Sequence, residues 1–67
     1  MQSLGQAVYR YICRHPTEGV RKRDIILEMA SRGYSRSPEV GVTRALEDYV
    51  AMNKIDQIGN LFVKRNP

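Results

Sequence analysis

The apolar residues at the start of the chain recur with the period of an α-helix. They stand at positions i, i+3, i+4, i+7 and i+8, and they are Leu4, Ala7, Val8, Tyr11 and Ile12. Ser3 is a suitable N-cap residue, and Pro16 disfavours helical backbone in the residue before it. The pattern therefore predicts an amphipathic helix over residues 3–15.

A second apolar stripe follows a short turn at residues 17–19. The stripe consists of Ile25, Ile26, Met29 and Ala30. Gly33 is a natural residue just beyond a helix end, because glycine adopts left-handed backbone without a steric penalty. The stripe predicts a second helix over residues 22–32, and Val20 can add a short extended segment before it.

The third stripe begins after a tight connection at residues 34–36. Ser37 is a good N-cap and Pro38 a good first helical residue, while Glu39 lies favourably near the positive helix end. The inward side would carry Val42, Ala45, Leu46, Tyr49, Val50 and Asn53. We expect a third helix over residues 37–52.

The remaining segment has the pattern of a β-hairpin over residues 54–65. Gly59-Asn60 between Ile58 and Leu61 is a hairpin turn signal. With a two-residue loop, one face of the hairpin would carry Ile55, Gln57, Phe62 and Lys64. A longer loop or a bulge would change that register.

These elements predict one domain over residues 1–67, mainly α with a small β-hairpin. A chain of 67 residues is long enough for one domain with a small core. The second and third helices, joined by a tight turn, form a helix-turn-helix pattern. The hairpin directly after them makes it the winged variant, with three helices and a carboxy-terminal wing.

In this order of elements the chain resembles the winged helix-turn-helix superfamily of DNA-binding proteins over nearly its whole length. Arg36-Ser37-Pro38 and the opening of the following helix are similar to the amino-terminal domain of the LexA repressor. The likeness ends there, since Val40, Val42 and Thr43 depart from that helix, and the peptidase domain of the repressor has no counterpart. The resemblance implies a third helix in the major groove of double-stranded DNA and a wing at its flank.

Charge supports an anionic partner. The chain carries a formal charge of +4 with a pI of about 9.6, which favours nucleic acid first. The distribution is uneven: residues 1–36 carry +4, residues 37–56 carry −2, and the tail carries +2. The third helix is therefore the most acidic part of a basic protein.

The sequence offers little for catalysis or for a bound cofactor. Cys13 and His15 stand two positions apart, cannot share a helical face and have no further Cys or His beside them. The adjacent Glu47 and Asp48 diverge by about 100° on a helix. The prediction is a protein without enzymatic activity, metal or cofactor. The single cysteine suits a reducing cytoplasm, and no apolar run reaches membrane-spanning length.

Arg21, Lys22 and Arg23 are three cations at the start of a predicted helix, the wrong sign for the helix dipole. In a helix-turn-helix protein the first helix of the motif crosses the sugar-phosphate backbone. Cations at this end would then displace counterions from phosphates. The alternative is a solvated, solubilising loop.

The predicted third helix and the wing supply the other candidate DNA contacts. On the outward side of the helix these are Ser37, Val40, Thr43, Arg44 and Glu47, which together can contact guanine, thymine and cytosine edges. Their alternative role is an ordinary exposed helix surface. The candidates for contact with the DNA backbone are Arg36, just before the helix, and Asn60, Lys64 and Arg65 on the wing. The last two can equally be solubilising charges.

Two functions are compatible with this pattern. The first is a cytoplasmic DNA-binding transcriptional regulator, in which Arg44 leads base recognition and a homodimer or protein partner raises affinity. The second is a protein-interaction module on the same fold, with the acidic third helix and Val40 as its binding face. Tyr9 and Leu27 are candidates for a dimer surface, and RNA binding is a third, weaker alternative.

Overall fold

The computed structural model describes residues 2–65, which form three helices and a three-stranded antiparallel sheet. The helices are α1 (Leu4–Cys13), α2 (Lys22–Ser31) and α3 (Glu39–Ala51), and the strands are β1 (Val20–Arg21), β2 (Ile55–Ile58) and β3 (Leu61–Lys64). This layout is compatible with a winged helix. None of these helices is long and apolar enough to cross a membrane.

Helix α1 begins where the sequence predicts and ends earlier. The Ser3 side chain accepts a hydrogen bond from the Gln6 N–H, and the Gln6 side chain accepts one from the Ser3 N–H, a capping box. The predicted end at residue 15 is wrong, because the helix ends at Cys13. The His15 N–H instead donates to the Ile12 carbonyl at 3.0 Å, a tightened last turn before Pro16.

Helices α2 and α3 end in the same way. After α2, the N–H groups of Gly33 and Tyr34 donate to the carbonyls of Ala30 and Met29, at 3.0 and 3.2 Å. Gly33 has a φ of 84°, as a Schellman ending requires. After α3 the left-handed residue is Asn53, with a φ of 60°. The predicted ending at Gly33 is confirmed.

The predicted start of α3 at residue 37 is wrong. The helix begins at Glu39, and Pro38 occupies the N-cap position without a side-chain cap hydrogen bond. The Pro38 carbonyl accepts the first helical bond, from the Val42 N–H at 2.9 Å. The Ser37 N–H donates to the Ser35 hydroxyl at 3.2 Å. Ser37 therefore belongs to the loop and does not cap the helix.

The sheet contains one more pairing than the sequence predicts. Strands β2 and β3 pair in the two-residue register, with Ile55 opposite Lys64 and Gln57 opposite Phe62. Strand β1 adds to the far edge of β3, where Val20 faces Phe62. Gly19 permits this approach: its φ is 75°, and a Cβ there would lie 3.0 Å from the Val63 side chain.

Buried side chains from every element form one core. They are Ala7, Val8, Ile12, Val20, Ile25, Met29, Val42, Leu46, Ile55 and Phe62. On α2 the inward stripe is narrower than predicted, because Ile26 and Ala30 are only half-buried. Phe62 and Leu46 close the core on the side where α3 meets the hairpin.

Candidate nucleic-acid interface

A groove lies between the start of α2, one side of α3 and the β2–β3 hairpin. Its volume is about 610 Å³. Its cationic and polar lining consists of Arg21, Lys22, Arg23, Thr43, Glu47, Gln57 and Asn60, and its apolar lining of Leu46, Val50, Ala51 and Phe62. We call it the basic groove. Six of the twelve residues predicted to contact DNA meet here, although they come from three separate segments.

The cations of the basic groove have no anionic partner within the described part of the chain. Arg21 occupies the N-cap position of α2 and makes no side-chain cap hydrogen bond. None of the ion pairs of residues 2–65 includes Arg21, Lys22 or Arg23, and Asp24 is the only acid in the first turn of α2. Within residues 2–65, three cations without an ion-pair partner thus stand at the positive end of a helix dipole, where an anion would be stabilised.

Helix α3 presents its predicted contact residues on two different sides. Thr43 and Glu47 lie in the basic groove. Arg44 instead borders a second, smaller depression of about 300 Å³, together with Gly5, Asp48 and Tyr49. Val40 is 72% exposed and lines neither cavity. The helix therefore does not present the five predicted side chains as one stripe.

Of the three hairpin residues predicted to contact DNA, only one lines the basic groove. Asn60, at the turn, lines the basic groove. Arg65 donates to the Asn53 side chain at 2.9 Å and lies 3.7 Å from the Asp56 carboxylate. This guanidinium braces the hairpin against the end of α3, a role that the sequence pattern does not indicate. Lys64 is half-buried on β3, opposite Ile55.

The loop residues Arg36 and Ser37 are exposed and line neither cavity. They lie between α2 and α3, away from the cations at the start of α2. Gln57 and Val50, by contrast, line the groove and were not predicted as site residues. For Gln57 the sequence holds a signal, because a two-residue hairpin loop places it on the same face as Phe62.

Two aromatic residues occupy the opposite side of α3. The rings of Tyr9 and Tyr49 have centroids 5.1 Å apart, and the Tyr49 hydroxyl donates to the Gly5 carbonyl at 2.9 Å. Tyr9 is therefore engaged with α3 and is not a free dimer surface, whereas Leu27 is 59% exposed.

Cys13 and His15 each interact with a neighbouring side chain of the fold. A hydrogen bond with Cys13 is the main reason that the pKa of Tyr9 is raised, followed by burial and by the charges on Cys13 and Tyr49. His15 Nδ1 lies 3.0 Å from the Glu18 carboxylate. Within residues 2–65 no cluster of three His, Cys, Asp or Glu side chains could hold a metal ion.

Comparisons with known proteins supply no relative for this chain. No protein-family model matches the sequence, no curated protein matches it, and no solved structure matches the fold.

Proposed function

We propose that the protein is a winged helix-turn-helix DNA-binding module that acts in transcription regulation in the cytoplasm. Helix α3 would enter the major groove of double-stranded DNA. The start of α2 would contact phosphates, and the hairpin would lie at the flank. The observation that carries this proposal is the basic groove. It joins three cations that have no ion-pair partner among residues 2–65 to polar side chains of α3 and the hairpin.

The charge distribution supports separate roles for the start of α2 and for α3 in DNA binding. The cations at the start of α2 would supply attraction to any DNA sequence, because each neutralised phosphate releases counterions. Helix α3 carries Glu39, Glu47 and Asp48 against a single cation, Arg44. Its contribution is therefore discrimination between sequences more than general affinity. A single module of this size buries about 600–1,000 Å² on DNA, so tight operator binding would require a dimer or a partner.

A salt titration tests the proposal. We expect the wild-type protein to bind random duplex DNA at low salt, with affinity falling steeply as salt rises. The Arg21→Ala/Lys22→Ala/Arg23→Ala variant should show a salt slope smaller by about 0.9 for each phosphate that it no longer neutralises. Arg32→Ala is the control for loss of one cation outside the groove, because the Arg32 guanidinium is paired with Glu28 at 2.8 Å. Absence of binding by the wild type at low salt would refute DNA binding.

One observation favours a second function, protein interaction. Val40 is 72% exposed on a helix whose carboxylates Glu47 and Asp48 make no ion pair within the described residues. An exposed apolar residue on the same helix as these acids suits a basic protein partner. Backbone NMR shifts on adding duplex DNA separate the two functions: DNA binding moves the resonances of the basic groove, and protein interaction alone leaves them unchanged.

A further inference from the structure

We propose that Thr43 and Glu47 are the base-reading pair of this protein. The preferred duplex would present a thymine methyl group and a cytosine amino group in the major groove within about two base pairs of each other. This inference rests on the proposed DNA-binding function and narrows it, because it names the side chains that select sequence and the bases they select.

The first support is placement. Thr43 and Glu47 are the polar α3 side chains that line the basic groove, on the same side of the helix as Arg21, Lys22 and Arg23. A DNA strand whose phosphates contact those cations therefore passes these two side chains. Arg44 borders the other depression, across the exposed side of α3, and we assign it to the backbone of DNA.

The second support is spacing. Thr43 and Glu47 stand four residues apart, so they are neighbours on one helix face, about 6 Å apart along its axis. Stacked bases of one strand follow each other at about 3.4 Å. The two side chains can therefore reach base pairs that are adjacent or separated by one.

The third support is that both side chains have free bonding capacity. A helical threonine hydroxyl often bonds a carbonyl of the preceding turn, yet within residues 2–65 the Thr43 hydroxyl makes no hydrogen bond. The Glu47 carboxylate makes no ion pair there, although it shares the groove with three cations. Neither group is committed to holding the fold together.

The chemistry of the two side chains sets the preference. A carboxylate accepts hydrogen bonds only. In the major groove cytosine offers the N4 amino donor alone, adenine offers its N6 amino donor beside the N7 acceptor, and guanine offers two acceptors, so cytosine fits the carboxylate best. A guanine facing Glu47 would leave the carboxylate desolvated and unpaired, which lowers affinity for the wrong sequence. The Thr43 methyl group can contact the C5-methyl of thymine. The nearby cations hold the strand, and Glu47 rejects sequences without the donor.

The experiment has two stages. Duplexes bound by the wild-type protein are first selected from a random library, and the selected duplex is then titrated by fluorescence anisotropy. Glu47→Gln and Glu47→Ala test the carboxylate. Asp48→Asn is the matched control, since it removes an equal charge from the next residue on α3, which borders the other depression. Replacing thymine by uracil in the duplex removes only the methyl group, and Thr43→Ser removes its partner.

The inference predicts a selected site with cytosine and thymine within two base pairs. Glu47→Gln and Glu47→Ala should reduce discrimination between cytosine and guanine by about tenfold, and Asp48→Asn should preserve it. The uracil duplex should weaken wild-type binding and leave Thr43→Ser binding unchanged.

Failure of the base-reading inference and failure of DNA binding would give different results. Discrimination unchanged in Glu47→Gln, or binding without sequence preference, would overturn the inference while DNA binding stands. Failure of the wild type to bind any duplex at low salt would overturn both. Circular dichroism of each variant establishes that it is folded, which we expect because Glu47 is exposed.

Discussion

The two sides of α3 differ in how their polar groups are used. Toward α1 lies a close contact that we call the α1–α3 seam, formed by Leu4, Gly5, Tyr9, Gly41 and Tyr49. The Tyr49 hydroxyl donates to the Gly5 carbonyl, and the Tyr9 and Tyr49 rings pack against each other with their planes tilted by 36°. Toward α2 and the hairpin lies the basic groove, whose cations and carboxylate have no ion-pair partner in the described residues.

Close packing in the seam depends on small residues. A Cβ at Gly41 would lie 2.5 Å from the Leu4 side chain, and one at Gly5 would lie 3.7 Å from the Tyr49 hydroxyl. Such packing stabilises the fold. The basic groove instead lowers stability, because cations at a helix start interact unfavourably with the helix dipole. We infer that one helix serves stability on one side and recognition on the other.

The largest effect is expected from Tyr49→Ala in the seam. The change removes the ring contact with Tyr9 and the hydrogen bond to Gly5, and should lower the free energy of unfolding by about 3 kcal/mol. Urea unfolding followed by circular dichroism measures it. Asp48→Ala is the control and should stay within about 0.5 kcal/mol of wild type. A decrease below about 1 kcal/mol for Tyr49→Ala would remove the seam as a main source of stability.

Removal of cations from the basic groove should raise the free energy of unfolding. Lys22→Ala/Arg23→Ala removes two cations from the positive end of α2, so the free energy of unfolding should rise by about 1 kcal/mol at low salt. The increase should shrink as salt rises. Arg10→Ala, in the last turn of α1, removes a favourable cation and should lower stability slightly. A destabilised double variant would show that these side chains support the fold.

Tyr49→Phe sharpens the comparison by deleting only the hydroxyl. Removal of its hydrogen bond to the Gly5 carbonyl should cost about 1 kcal/mol. Tyr34→Phe, which removes the bond from Tyr34 to the Gln2 carbonyl at 2.9 Å, provides a comparable deletion outside the seam. If neither variant changes the urea midpoint, these hydroxyls do not contribute to stability.

The seam should also give stability a dependence on alkaline pH. Burial, and then the charge on Cys13, raise the pKa of Tyr49, and the pKa of Tyr9 is raised as well. The folded state therefore favours the neutral phenols. Their contribution is complete below about pH 10, the ordinary tyrosine pKa, and disappears as pH rises through the folded-state values. Unfolding measured from pH 8 to 11 should show a shallower decline in Tyr9→Phe/Tyr49→Phe than in wild type.

Arg44→Ala should give the smallest effect. Because Arg44 lies outside the basic groove, its removal should weaken DNA binding uniformly, by less than about fivefold, or about 1 kcal/mol. The salt slope should fall by about 0.9. Titrations of the selected duplex and its single-base variants measure both. If preference for a G·C pair disappears instead, Arg44 reads a base, as the sequence pattern alone suggests.

Local chemistry made most of the elements predictable. Ser3, Gly33 and Gly59-Asn60 mark a helix start, a helix end and a hairpin turn, because each acts on backbone within a few residues of itself. The hairpin register followed from the two-residue loop. The start of α3 was mispredicted because Ser37 has the right side chain for a cap but bonds within the preceding loop. The pairing of Val20 with Phe62 joins positions distant in sequence, which no local signal specifies.

The sequence by itself determined the order of three helices and a hairpin, the basic charge and its concentration outside the third helix. These properties depend on residue identity and on periodicity over a few positions. Only the tertiary structure decided which of the predicted DNA-contact residues lie together in one groove. The angles between α2, α3 and the sheet bring Arg21, Lys22 and Arg23 to Thr43, Glu47 and Asn60. The same packing places Arg44 at the second depression and ties Arg65 to Asn53. A helical wheel gives directions around one axis, whereas a shared groove depends on the relative positions of several axes.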